Sequence, residues 1–165
     1  MRLVASTLIW LAAVSALLVG PVPAAHAQEP LLAVIVAASR GDQPSDDEIA
    51  QMFKRRKLFW RDGARVVPVN LPPDHPLRLR LQRYLLRQTA DQQQEYWNEQ
   101  YFHGVLPPHV LGSEEAMLRF VAGTSAAIGY LPACIADARV RAVLWIDADG
   151  ALQKPDAAPA CPGTP

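Results

Sequence analysis

The stretch GTSAAIGYLP, residues 123–132, is the one whose reading decides the fold. It is too short to cross a membrane as a helix, which takes about 20 apolar residues, and too apolar for an ordinary connecting loop. Small residues lead into Ala127 and Ile128, then Gly129, Tyr130 and Pro132, a run of strand length. A strand of this kind either lines a ligand or packs in a core, and its pattern leaves both open.

The flanking segments give it a context. On its N-terminal side VLGSEEAMLRFVAGTS reads as a strand end and then a helix, capped by Ser113, with Glu114 and Glu115 in the first turn and a stop at Gly123. On its C-terminal side VRAVLWID (Val140 to Asp147) is another strand. Further away, LLAVIVAAS (Leu31 to Ser39) is a continuous apolar run, the pattern of a strand covered on both faces. Ser45 with Glu48 three residues on is a capping box for a helix from Asp46 to about Lys54. Asp62-Gly63 predicts a turn before a strand over Arg65 to Asn70. Pro76 opens a helix, with Asp74 or His75 as its cap; Leu77, Leu81, Tyr84 and Leu85 form its apolar stripe, and Arg80, Arg83 and Arg87 its solvated side. Thr89 with Gln92 is a second capping box, opening a helix on which Trp97 and Tyr101 share a core-facing side. Strands and helices alternate throughout, which predicts an α/β domain of three layers with a mostly parallel sheet.

Residues 1–27 stand apart. Arg2, the apolar run Leu3 to Val19, the break at Gly20-Pro21 and the Ala25-His26-Ala27 site form the pattern of a cleaved secretory signal, with a mature start at Gln28 and a periplasmic or secreted location. No Cys follows the cleavage site, so lipid anchoring is not expected. Residues 28–150 then make one α/β domain and 151–165 a Pro- and Ala-rich tail. The whole chain has 16 Lys and Arg against 16 Asp and Glu, and loss of Arg2 leaves a net charge of −1, so no nucleic-acid partner is expected. The run Lys54-Arg55-Arg56-Lys57 reads as a solvated helix C-terminus, where cations favour the macrodipole. Cys134 and Cys161 both lie in the exported part and suit a disulfide that ties the tail back, worth roughly 3 to 4 kcal/mol through loop entropy.

The sequence lacks the motifs of the common enzyme classes. The chain has no GxSxG, no GxxxxGK[ST], no HExxH and no paired CxxC. His103 and His109, with Pro107 and Pro108 between them, read as loop histidines, so neither a metal, a cofactor nor an enzymatic activity is expected. What remains is anion capture at helix N-termini. The helices at Asp46, Asp91 and Glu114 begin with their own carboxylates and repel anions. The helix at Pro76 instead carries Arg78 in its first turn, just beyond a strand ending at Asn70, where ligands of open α/β sheets bind. Asn70, His75 and Arg78 are therefore the candidate anion-binding residues.

The order IAQMFKRRKLFWRDGARVVPVN, PLRLRLQRYLL, YWNEQYF, VLGSEEAMLRFVAGTSAAIGYLP and a closing apolar strand resembles the substrate-binding proteins of phosphate ABC transporters, which have the type II periplasmic-binding fold. The resemblance is to their short, single-domain relatives and runs from Leu31 to Asp147. Its most specific parts are Ile49 to Phe53 with Trp60-x-Asp62-Gly63, and Thr124-Ser125-Ala126-Ala127-Ile128-Gly129-Tyr130, where the family pattern is close to Thr-x-Gly-Ala-Ile-Gly-Tyr. The resemblance implies one lobe of that fold, binding of phosphate or another small oxyanion, and a membrane transporter or signalling partner. It also implies that GTSAAIGYLP is structural, with Gly129 permitting close backbone approach. Where phosphate-binding members carry an Arg followed by Ser-Gly-Ser-Gly-Thr, this chain has Asn70-Leu71-Pro72-Pro73-Asp74-His75-Pro76. Prolines delete N–H donors there and no hydroxyl is present, which leaves anion contact to His75 and Arg78. The alternative is an accessory or interaction module that keeps the scaffold and binds no solute.

Overall fold

β1 (Leu32–Ala37) is the strand about which the others are arranged: all six residues are buried, and both of its edges are paired. The protein is described by a computed structural model over residues 30–156, 159 and 161; the signal peptide expected at 1–27 lies outside them. α1 (Asp46–Phe53) starts at the Ser45–Glu48 capping box, in which both reciprocal hydrogen bonds are made. β2 (Val67–Asn70) leads to α2 (Pro76–Arg80), which continues without a break into a π-helical turn over Leu81–Leu85. α3 (Ala90–Phe102) opens at the Thr89–Gln92 capping box. β3 (His109–Val110), α4 (Glu114–Gly123) capped by Ser113, β4 (Ala127–Pro132), β5 (Val140–Ile146) and β6 (Leu152–Gln153) complete the order.

The sheet runs β3-β2-β4-β1-β5-β6. β3 with β2 and β2 with β4 are parallel, whereas β1 pairs antiparallel with both β4 and β5, and β6 antiparallel with β5. The sheet is mixed but mostly parallel in strand direction, as expected: β2, β3, β4 and β5 run one way, and β1 and β6 the other. An unbroken apolar run reports that both faces of a strand are covered, and it does so equally for either direction. β5 runs in the same direction as β4 with antiparallel β1 between them, so the chain recrosses the sheet through one 3-10 turn (Ala133–Ile135) and a short loop instead of a helix.

β4 shows why the architecture has three layers. Successive strand residues point to opposite faces. Gly129 faces α4: a Cβ built there would lie 2.4 Å from the Met117 sulfur, 3.0 Å from a Val121 methyl and 3.1 Å from a Val69 methyl. Tyr130 faces the other side, where its ring meets Phe53 of α1 edge-on at 5.8 Å. Helices thus cover both faces of the central strands, and the core runs continuously from Leu32 to Ile146 within the described residues.

The Trp60-x-Asp62-Gly63 motif clamps a small hairpin to this core. Gly63 takes a left-handed φ of 82° at the turn, which an L side chain resists. Trp60 is buried, donates its indole N–H to the Ala126 carbonyl at 2.9 Å, and carries the Arg40 guanidinium 4.5 Å above its ring. Arg40 pairs with Asp42 at 2.7 Å and Asp62 at 3.3 Å and also donates to the Ser125 carbonyl. Residues distant in sequence are thereby held at the entrance to β4.

Two expectations fail in detail. Arg80 is not solvated; it is buried and bonds the Pro30 carbonyl. On α3 the buried aromatic is Tyr96, whose hydroxyl donates to the Lys54 carbonyl at 2.7 Å, while Trp97 is half-buried and Tyr101 is 66% exposed. The stripe was misplaced because α3 packs partly through polar contacts: Gln82 donates to Gln93 at 3.0 Å and Gln93 to Gln88 at 2.9 Å. The disulfide between Cys134 and Cys161 forms as expected, and β6 adds a second attachment for the segment after residue 150.

Two substitutions test this packing. Gly129→Ala is expected to cost about 1 to 3 kcal/mol by overpacking against backbone-proximal side chains, whereas at Gly123 an added Cβ meets nothing within 4 Å and Gly123→Ala is expected to be neutral or stabilising by up to about 1 kcal/mol. Equal effects in urea denaturation would contradict the close approach. Reducing the Cys134–Cys161 bond is expected to lower unfolding stability by about 3 to 4 kcal/mol, and an unchanged midpoint under reductant would show that the tail adds nothing.

Candidate functional site

β2 ends at Asn70 and the chain then turns through Leu71-Pro72-Pro73-Asp74 to His75 and Pro76, with the His75 N–H donating to the Pro72 carbonyl at 3.0 Å. Proline at the first position of α2 suits its fixed φ and missing donor. The His75 side chain caps that helix: Nδ1 accepts the Leu77 N–H at 3.3 Å, and Nε2 lies 3.6 Å from the Glu114 carboxylate at the start of α4. The helix end expected to be open is thus closed by its own cap. Asp74 is exposed and makes no ion pair among the described residues.

Asn70 and Arg78 are brought together around the Tyr130 hydroxyl and the Leu71 peptide, whereas the His75 side chain is engaged by Leu77 and Glu114. Tyr130 Oη accepts the Leu71 N–H at 3.1 Å and donates to Asn70 Oδ1 at 3.3 Å. The Leu71 carbonyl accepts from Arg78 at 2.8 Å. Asn70 passes its own carbonyl to the Leu111 N–H at 2.8 Å. Asn70, Leu71, Arg78 and Tyr130 are all buried, and Leu111 is half-buried.

Arg78 is the outlier. It is 9% exposed, no carboxylate pairs with it among the described residues, and its Nε is buried without a partner. Burial pushes its guanidinium below the ordinary value, an effect that nearby Tyr130 opposes. Guanidinium remains charged in proteins, so a cation lies inside the fold uncompensated. The surface concavity nearest in sequence, about 310 Å³, is walled by Pro76, Leu79, Arg80, Arg83, Tyr84 and Ala148 but not by Arg78.

Tyr130 is the participant that reasoning from sequence assigned only to packing. A phenol inside a fully apolar strand needs a hydrogen-bond partner for its hydroxyl, and that requirement was a readable signal. The inward direction of Arg78 was legible too: it stands three and seven residues before Leu81 and Leu85, on the buried stripe.

The fold has solved counterparts. A phosphate ABC transporter substrate-binding protein of Clostridium perfringens, determined with phosphate bound, superposes with a TM-score of 0.57 at 15% identity, over 70% of this chain and 46% of that one. An ABC-type phosphate transport receptor from Vibrio cholerae gives 0.55 at 16% identity, over 69% and 46%. This chain thus has the α/β fold of phosphate-transport binding proteins and spans about half the length of those it matches. No protein-family model matches it, and no curated protein does.

Burial raises the Tyr130 phenol well above its ordinary value of 10.0. The folded protein then keeps that proton after the unfolded chain has lost it. The contribution is whole below pH 10 and falls away as the pH rises toward the folded value, at up to about 1.4 kcal/mol per pH unit. Tyr130→Phe is expected to remove this component of alkaline destabilisation and to cost about 1 to 3 kcal/mol at neutral pH by stranding the Leu71 N–H. Parallel stability curves for both proteins between pH 8 and pH 11 would contradict it.

Proposed function

We propose that this chain is an exported, non-catalytic solute-binding lobe that engages a small oxyanion, phosphate or a chemical relative, through Arg78, with Asn70 and His75 bordering the site. The observation that carries the reading is the buried Arg78 guanidinium, which has a free Nε and no carboxylate among the described residues. A buried charge left uncompensated is costly, and guanidinium geometry suits phosphate oxygens. Its place beyond the carboxyl end of β2 is where open α/β sheets hold ligands. The fold match to a structure holding phosphate and to a phosphate transport receptor supports the same reading. The signal-like residues 1–27 and the disulfide support an oxidising compartment such as the periplasm, with residues 28–150 as the lobe and 151–165 as its tethered tail. A membrane transporter or signalling protein is the partner such a lobe would serve.

The accessory reading is favoured by a different observation. Asn70 and Leu71 are bonded to Tyr130, Arg78 to the Leu71 carbonyl and His75 to the Leu77 N–H, so each already has a partner within the fold. Isothermal titration and thermal melts with phosphate and sulfate separate the two readings. Arg78→Gln keeps a donor for the Leu71 carbonyl, and its fold is checked by circular dichroism. Millimolar phosphate is expected to give heat and to raise the melting temperature of the parent but not of Arg78→Gln. Absence of both effects in the parent would leave the accessory module standing.

A further inference from the structure

The four cations after α1 do more than cap a helix. At Lys54 the chain reverses, and Arg55 adopts a left-handed φ of 58°. The only other non-glycine residue with positive φ among those described is Arg87, at 53°. The two segments are joined by the Lys54 ammonium, which donates to the Leu86 carbonyl at 3.0 Å, immediately before Arg87. Arg56 lies 5.4 Å over the Tyr96 ring, and Arg65 is bridged to Phe59 across the hairpin. Cations from three separate segments thus converge on one surface, and the α1 dipole accounts for Lys54 to Lys57 but not for Arg65 or Arg87.

This convergence is unbalanced. Lys57 is matched by Glu48 at 2.9 Å. Lys54, Arg55, Arg56, Arg65 and Arg87 have no carboxylate partner among the described residues, and the Arg55 Nε is buried without a hydrogen bond. After burial itself, the groups that push the Lys54 ammonium below its ordinary value are Arg56 and Arg87, and for the Arg55 guanidinium it is Arg65. The chain as a whole is neutral, so this is a local positive face. Directly beside it two apolar side chains stand in solvent, Leu58 at 37% and Phe59 at 53% exposure. Phe59 and Arg65, opposite each other in an antiparallel bridge, project to the same side.

We propose that Lys54, Arg55, Arg56, Arg65 and Arg87, with Leu58 and Phe59, form a docking face for an anionic lipid bilayer. Clustered cations are attracted to anionic headgroups, and adjacent apolar side chains enter the headgroup boundary. A soluble phosphate would match the charge but leave Leu58 and Phe59 without a role, and this favours the lipid surface. None of these side chains bonds to Arg78 or to the groups around it.

The test is co-sedimentation of the chain from Gln28, which carries the whole described core, with vesicles of phosphatidylcholine alone or mixed with phosphatidylglycerol. Binding is expected only to the mixed vesicles and is expected to weaken as salt rises. Each cation removed is expected to lower partitioning about 5-fold, so Arg56→Gln with Arg65→Gln loses about 25-fold; both residues are exposed, and circular dichroism confirms the fold. Phe59→Ser is expected to weaken binding several-fold while preserving its salt dependence. The proposal is overturned by equal binding to both vesicle types, by binding to neither, or by an unchanged double variant. Displacement by millimolar inorganic phosphate would overturn it in favour of a soluble-anion site.

Discussion

The dipeptide Gly129-Tyr130 in β4 is the constraint on which the molecule depends. One residue has no side chain, so α4 settles directly onto the strand through Met117 and Val121. The next has the largest fully buried side chain and presents an edge-on ring to Phe53 and a hydroxyl to the end of β2. Helix-to-sheet spacing on one face and the path of the chain leaving β2 on the other are therefore set by adjacent positions. Neither neighbour substitutes for the other, because strand geometry sends them to opposite faces.

Much of this was legible. The three helix starts marked by Ser45, Thr89 and Ser113 are local chemistry, and each side chain accepts the N–H it was expected to accept. The strands at Leu32, Ala127 and Val140 followed from apolar runs, and Gly129 makes the close approach expected of it. Strand direction was not legible, since burial on both faces erases the alternation that would report it. The cap on α2 was legible in residue but not in consequence: His75 was an expected cap, yet capping closes the helix end to a ligand. The positive face required three segments to meet, a tertiary fact that the neutral composition concealed.

Around Arg78 the fold and the site pull in different directions. A guanidinium that ties the Leu71 carbonyl stabilises the turn after β2, but burying it without a carboxylate is costly. Pro72 and Pro73 stiffen the same turn and remove donors. The cation is buried on a scaffold about half the length of the proteins it matches, and the groups around it are bonded to one another.

The sheet ends on either side in strands of two residues, β3 and β6. A free edge offers unpaired N–H and C=O groups to any extended chain, and longer edges are templates for aggregation. Here one edge is cut short by Pro107 and Pro108 just before β3, and the other is followed by a segment bound back through Cys161. A sheet rich in aliphatic strands is thus blunted at both margins against runaway strand-to-strand stacking with its own copies.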